Sequence, residues 1–99
     1  MSFSTHVLNA VTGLPAEGVR VRLEHDGSVL AEGRTDADGR ITGWEPRTGV
    51  HRVVFDTGGY LPETFYPEVV VTFTVADPGR HHHVPLLLSP YAYSTYRGS

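Results

Sequence analysis

The chain alternates apolar and polar residues, but only in runs of about seven before a turn signal stops each run. Val19-Arg20-Val21-Arg22-Leu23-Glu24-His25 shows the pattern, with apolar side chains at 19, 21 and 23. That period belongs to a strand with one buried face. Ser4 to Ala10 forms an earlier run, stopped by Thr12-Gly13-Leu14-Pro15. Asp26-Gly27 is a hairpin turn leading into a third strand from Val29 to Thr35. Asp36-Ala37-Asp38-Gly39 turns into a short fourth strand at Arg40-Ile41-Thr42, and Gly43 to Gly49, with Trp44, reads as a loop. Further strands are expected over Val50–Asp56, Glu68–Val75, His82–Leu88 and Tyr91–Tyr96, with Asp77-Pro78-Gly79 and Ser89-Pro90 between the last three. Gly58 to Pro67 reads as irregular, because Pro62 and Pro67 interrupt it. No segment holds a helical period for three turns. Eight short strands punctuated by turns predict an all-β sandwich.

Residues 1–99 read as one domain, with no repeat, low-complexity tract or linker. A chain of this size buries roughly 60–70% of its unfolded surface. With 39% apolar residues it can build one core, and a partner could cover more. A net charge of −3 without an Arg run argues against a nucleic-acid surface. No apolar stretch approaches the roughly 20 residues that span a bilayer. No basic region followed by an apolar one suggests a signal peptide, and Arg97-Gly98-Ser99 is not a peroxisomal address, so the expected location is the cytoplasm. There is no Cys and no Lys; all eight basic residues are Arg. Thiol nucleophiles, thiolate metal sites and Schiff-base chemistry are therefore excluded. Any fixed cation is a planar guanidinium, suited to a bidentate anion or carbonyl contact.

The unusual stretch is the end. Arg80-His81-His82-His83-Val84-Pro85 leads into Ser89-Pro90-Tyr91-Ala92-Tyr93-Ser94-Thr95-Tyr96-Arg97-Gly98-Ser99, whereas a last strand ordinarily frays into a plain polar tail. Parity sorts these strands. If Val7, Val84, Leu86 and Leu88 fill the core, then His6, Leu8, His83, Pro85 and Leu87 lie on an outer sheet face. An outer face mixing apolar residues with histidines is an interface or a pocket wall. His81, His82 and His83 could suggest zinc, but adjacent strand residues point to opposite faces, so the three do not converge. His81 lies near the turn and reads as peripheral. His25 and His51 have no identifiable partner.

Thr5-His6-Val7-Leu8-Asn9, Asp38-Gly39-Arg40, the His-x-His-Val-Pro pattern at 81–85 and the terminal Tyr96-Arg97-Gly98-Ser99 resemble the transthyretin-related 5-hydroxyisourate hydrolases. The likeness runs along nearly the whole chain. Thr12-Gly13-Leu14-Pro15-Ala16 and Thr35-Asp36-Ala37-Asp38-Gly39 occur in many related sandwiches. The terminal Tyr-Arg-Gly-Ser, joined to His6 and His83, separates the hydrolases from the hormone carrier transthyretin. The resemblance implies a transthyretin-like (prealbumin-like) sandwich of two four-stranded sheets. Strands one, four, seven and eight would share a sheet that walls a channel in a homotetramer. It implies a site of His6, Arg40, His83 and Ser99, with Tyr96, Arg97 and Gly98 binding the small-molecule substrate; Leu8, Pro85 and Leu87, which parity puts on the same face, would bind it too. It also implies hydrolysis of 5-hydroxyisourate to 2-oxo-4-hydroxy-4-carboxy-5-ureidoimidazoline in urate breakdown, without metal or cofactor. The family's short helix after the fifth strand meets a shorter segment here, with Pro62 against it.

Opening a cyclic amide needs water activated near the carbonyl, donors for the developing oxyanion and a proton for the departing nitrogen. His6 or His83 would be the base, the other binding or donating a proton. Arg40 would polarise a carbonyl or hold the anionic ring. Ser99 and its carboxylate would orient the water or a histidine, and Arg97 would add a second cation. Gly98 would let the backbone turn sharply and fold the tail back. Two other functions fit parts of the sequence: a non-catalytic carrier of a small aromatic ligand, and an accessory sandwich acting as a spacer. A carrier does not need titratable bases in its channel, and a spacer does not need the terminus.

Overall fold

Residues 2–99 are described by a computed structural model, which contains ten strands and, among those residues, no helix. Strands β1 (Phe3–Asn9), β2 (Leu14–Pro15), β5 (Arg40–Trp44), β8 (His82–His83), β9 (Leu86–Ser89) and β10 (Ala92–Thr95) form one sheet. Strands β3 (Arg20–His25), β4 (Ser28–Arg34), β6 (Gly49–Asp56) and β7 (Val69–Val75) form the other, in the order β4-β3-β6-β7. The β3–β4 hairpin turns at Asp26 and Gly27, with φ of 50° and 75°, the positive pair that a two-residue turn between twisted strands favours.

The first sheet has six strands rather than the expected four, for two reasons. The strand expected over 82–88 is broken at Val84-Pro85, because proline has no N–H for the ladder. The register is the same on both sides of the break: Ser4 lies opposite His83 and Val7 opposite Leu86. Hydroxyls take the carbonyls at the gap, Thr5 Oγ1 donating to Val84 O at 2.6 Å and Thr95 Oγ1 to Pro85 O at 2.7 Å. The second reason is Leu14-Pro15, which does more than stop β1. It folds back as β2, with Leu8 opposite Pro15. In width the sheet is still four ranks: β2 and β5 on one side of β1, β8 and β9 on the other, then β10.

The core is built by alternation. Val7, Val84, Leu86 and Leu88 are buried as their parity requires, against Val21, Leu23, Val53 and Phe55 of the second sheet. Trp44 is the last residue of β5 rather than part of a loop, and its ring stacks on Phe3 with centroids 6.1 Å apart. Residues 58–67 run as turns and bends, without the family's helix. The Gly58 N–H donates to Pro67 O at 2.8 Å and closes the segment, while Leu61 reaches the core. No helix among the described residues is long and apolar enough to cross a membrane.

Candidate active site

Arg40 owes its position to the turn before it. Asp36 Oδ1 accepts from the backbone N–H groups of Asp38 and Arg40, both at 2.9 Å, a local turn that a short carboxylate makes readily. Gly39 has φ of +75°, and a Cβ there would fall 2.5 Å from Val7 O. Only glycine therefore lets the turn approach β1 closely enough for Val7 N–H to donate to Gly39 O at 2.7 Å. The next residue is thereby fixed: Arg40 lies directly opposite His6. Paired residues in an antiparallel ladder project to the same face. Ser4 shares that face with His6 by parity, and Ser4 is the register partner of His83.

His83 is held on several sides. Its Nδ1 is 2.7 Å from Ser4 Oγ. Gly98 N–H donates to His83 O at 2.9 Å, a bridge that lays the tail along β8. A Cβ on Gly98 would collide with His83 Cδ2. Gly98 is not among the glycines with positive φ, so close approach to the imidazole, rather than a sharp turn, is what requires glycine there. Among the described residues His83 Nε2 has no protein partner, and no buried side-chain nitrogen or oxygen is left unpaired. That nitrogen is therefore open to solvent. Burial pushes the His83 pKa below the ordinary imidazole value, and the positive charge of Arg40, then His81 and His6, pushes it the same way, against a hydrogen bond to the Ser4 backbone.

The other expected residues divide between two places. Leu8 and Leu87 are register partners and half-buried. Pro85 is buried rather than open on that face; the hydroxyl of Thr95 holds its carbonyl, and the tail runs alongside. Tyr96 and Arg97 line a cleft of about 280 Å³ at the sandwich edge, with Val71, Phe73 and His83. Ser99 is exposed and follows Gly98. His82 points inward, buried, with Nδ1 2.9 Å from Arg80 O.

The structure adds residues that sequence reasoning passed over. His81, read as peripheral, has Nε2 2.9 Å from Ser4 Oγ and Nδ1 2.7 Å from Ser2 Oγ. Its ring lies 6.3 Å from that of His83, at 15°. Parity held the signal, because Ser4 alternates with His6 and His81 with His83. His25 and His51, read as unpartnered, are cross-strand partners whose rings stack 4.4 Å apart.

A small all-β sandwich with two histidines and an arginine on one sheet face defines the class. The chain belongs to the HIUase/Transthyretin family, whose model matches residues 3–98. It is 46% identical over 108 residues to 5-hydroxyisourate hydrolase of Salmonella dublin, covering 97% of this chain and 79% of that relative. Among solved structures it resembles 5-hydroxyisourate hydrolase of Klebsiella pneumoniae, with a TM-score of 0.89 and 36% identity over 99% of this chain and 93% of that one. It also resembles transthyretin from Sparus aurata, with a TM-score of 0.87 and 32% identity over 97% of this chain and 95% of that one. The shared fold does not separate hydrolase from carrier; the residues on the face must.

Proposed function

We propose that this protein is a 5-hydroxyisourate hydrolase, opening the six-membered ring of 5-hydroxyisourate in urate breakdown. The observation that carries the reading is the placement of Arg40 opposite His6 beside a His83 held by Ser4 and covered by Gly98. His83 is the general base. Its Nδ1 is anchored, its Nε2 is open, and its lowered pKa keeps it neutral near pH 7. It takes a proton from water as that water attacks the amide carbonyl. The Arg40 guanidinium faces the oxyanion that develops. His6, next to Arg40, supplies the proton for the ring nitrogen as the carbon–nitrogen bond breaks. Ser99 and the terminal carboxylate close the pocket and orient the water. A positioned base contributes typically 10²–10⁴ in rate, and the rest falls to orientation and oxyanion stabilisation.

The same reading includes a homotetramer with Leu8 and Leu87 against a neighbouring copy. The half-buried state of both residues, the exposed Leu14 on the same sheet and the exposed Tyr91 in the β9–β10 turn support it. A monomeric mass at micromolar concentration would contradict that assembly. The activity is tested by following the ultraviolet absorbance of freshly generated 5-hydroxyisourate with and without protein. Faster decay with protein supports a hydrolase; binding of the compound with unchanged decay makes the protein a carrier.

A further inference from the structure

Ser4 stands between two imidazoles. Its hydroxyl oxygen is 2.7 Å from His83 Nδ1 and 2.9 Å from His81 Nε2, and His81 Nδ1 is 2.7 Å from Ser2 Oγ. All three distances are those of good hydrogen bonds. A serine hydroxyl has one proton to donate, so Ser4 can donate to only one of its two neighbours. The function proposed above fixes which one. If His83 Nε2 is the free base, the ring proton of neutral His83 is on Nδ1 and is donated to Ser4 Oγ. Ser4 must then give its own proton to His81 Nε2. Neutral His81 carries its proton on Nδ1, pointing at Ser2. One choice at His83 sets every link.

The chain also leads from a poor place for a cation to a better one. Arg40 on β5, His6 on β1 and His81 just before β8 all raise the cost of charge on His83. Ser4 is buried, whereas His81 is exposed and water can solvate charge there. We propose that Ser4 and His81 form a proton relay that moves the charge of protonated His83 out of the site to the surface.

The step balances. His83 Nε2 binds the proton released by the attacking water. The His83 Nδ1–H bond breaks as that proton passes to Ser4 Oγ. The original Ser4 O–H bond breaks as its proton passes to His81 Nε2. His83 ends neutral with its proton on Nε2, Ser4 is again a hydroxyl, and His81 carries the positive charge with both nitrogens protonated. The site resets when the protons return along the same path, His81 Nε2 to Ser4 Oγ and Ser4 Oγ to His83 Nδ1, and the proton on His83 Nε2 leaves for water or for the departing ring nitrogen. Ser4 and His81 are thus positioning residues acting through His83.

The inference rests on the hydrolase reading, and its test separates the two. Turnover of fresh 5-hydroxyisourate is measured for wild type, His81→Ala, Ser4→Ala and the double variant, with folding checked by circular dichroism and with imidazole added in increasing amounts. His81→Ala is expected to lower kcat by about tenfold, the low end of a proton-transfer contribution, with KM within about twofold. Added imidazole should restore several-fold of the loss in His81→Ala and little in Ser4→Ala, where the bridge is missing. The double variant should be no slower than the slower single one, as expected for residues acting as a unit. Since His81 is exposed, His81→Ala alone decides the matter where Ser4→Ala fails to fold. Wild-type kcat in His81→Ala, or a loss that imidazole does not relieve, overturns the relay and leaves the hydrolase standing. A wild-type protein that does not speed decay removes both.

Discussion

The molecule holds two stacked histidine pairs, and they differ in what their nitrogens touch. His25 and His51 face each other across β3 and β6 with rings 4.4 Å apart. His51 is fully buried; its Nδ1 meets Gly49 O at 2.9 Å, and its Nε2 accepts from Arg47 N–H at 3.1 Å. Both nitrogens are thus consumed by backbone. Burial and the charge of His25 push its pKa down, against the Gly49 carbonyl. In the other pair His83 has the same downward shift, also led by burial, but only one of its nitrogens is committed. Lowered basicity alone therefore does not mark a catalytic imidazole. What separates the two is one free nitrogen on an open face, which the proposed role of His83 uses and which His51 lacks.

The largest effect that would break this contrast is expected at the tail. Deleting Arg97, Gly98 and Ser99 should abolish turnover while barely moving the melting temperature. The last strand ends before them, and they meet the fold through the Gly98 bridge to His83 and the cleft that Arg97 lines. A truncated chain with the full-length rate would take the tail out of the site. Next, His6→Ala should lower turnover by at least about tenfold with the fold intact, whereas His25→Ala should leave the rate within about twofold. Equal rates in the two variants would erase the distinction between the faces.

A smaller effect should appear in stability against pH. Unfolded His51 titrates near the usual value of about 6.5, and the folded chain holds it lower. Above that pH both states keep it neutral and its contribution is fully present. As pH falls through 6.5 the unfolded chain binds a proton that the folded chain refuses, so stability declines until the folded pKa is reached. The melting temperature should therefore fall between about pH 7 and 5, and less steeply in His51→Asn. An unchanged slope in that variant would mean that His51 does not drive the decline. Turnover should fall over an overlapping range for a different reason, protonation of His83, with a midpoint below the ordinary imidazole value because burial and Arg40 disfavour the cation.

Much of the fold was legible because alternation and turn residues agree locally. Val7, Val84, Leu86 and Leu88 are buried as parity demands, and Asp26-Gly27 forms the turn that its residue types prefer. The break at Pro85 was not legible as a split strand. A missing N–H matters only once a neighbour needs it, and the neighbour is β1, from the other end of the chain. β2 was missed for the same reason, since Leu14-Pro15 becomes a strand only by returning to Leu8. In the site, His6, Arg40, His83 and Gly98 were named from motif, and the structure brings them to one place. Ser4 was passed over because a serine inside a strand carries no signal until its partner is known. Register, which single-strand patterns do not contain, joins Ser4 to His83 and His25 to His51.

The most direct measurement is the decay of freshly generated 5-hydroxyisourate with wild type, His83→Ala and His51→Asn at equal concentrations of folded protein. The account predicts fast decay with wild type, a rate at least about tenfold lower with His83→Ala, and a near wild-type rate with His51→Asn wherever it stays folded. Full activity in His83→Ala, or a loss in folded His51→Asn as large as that in His83→Ala, would contradict it.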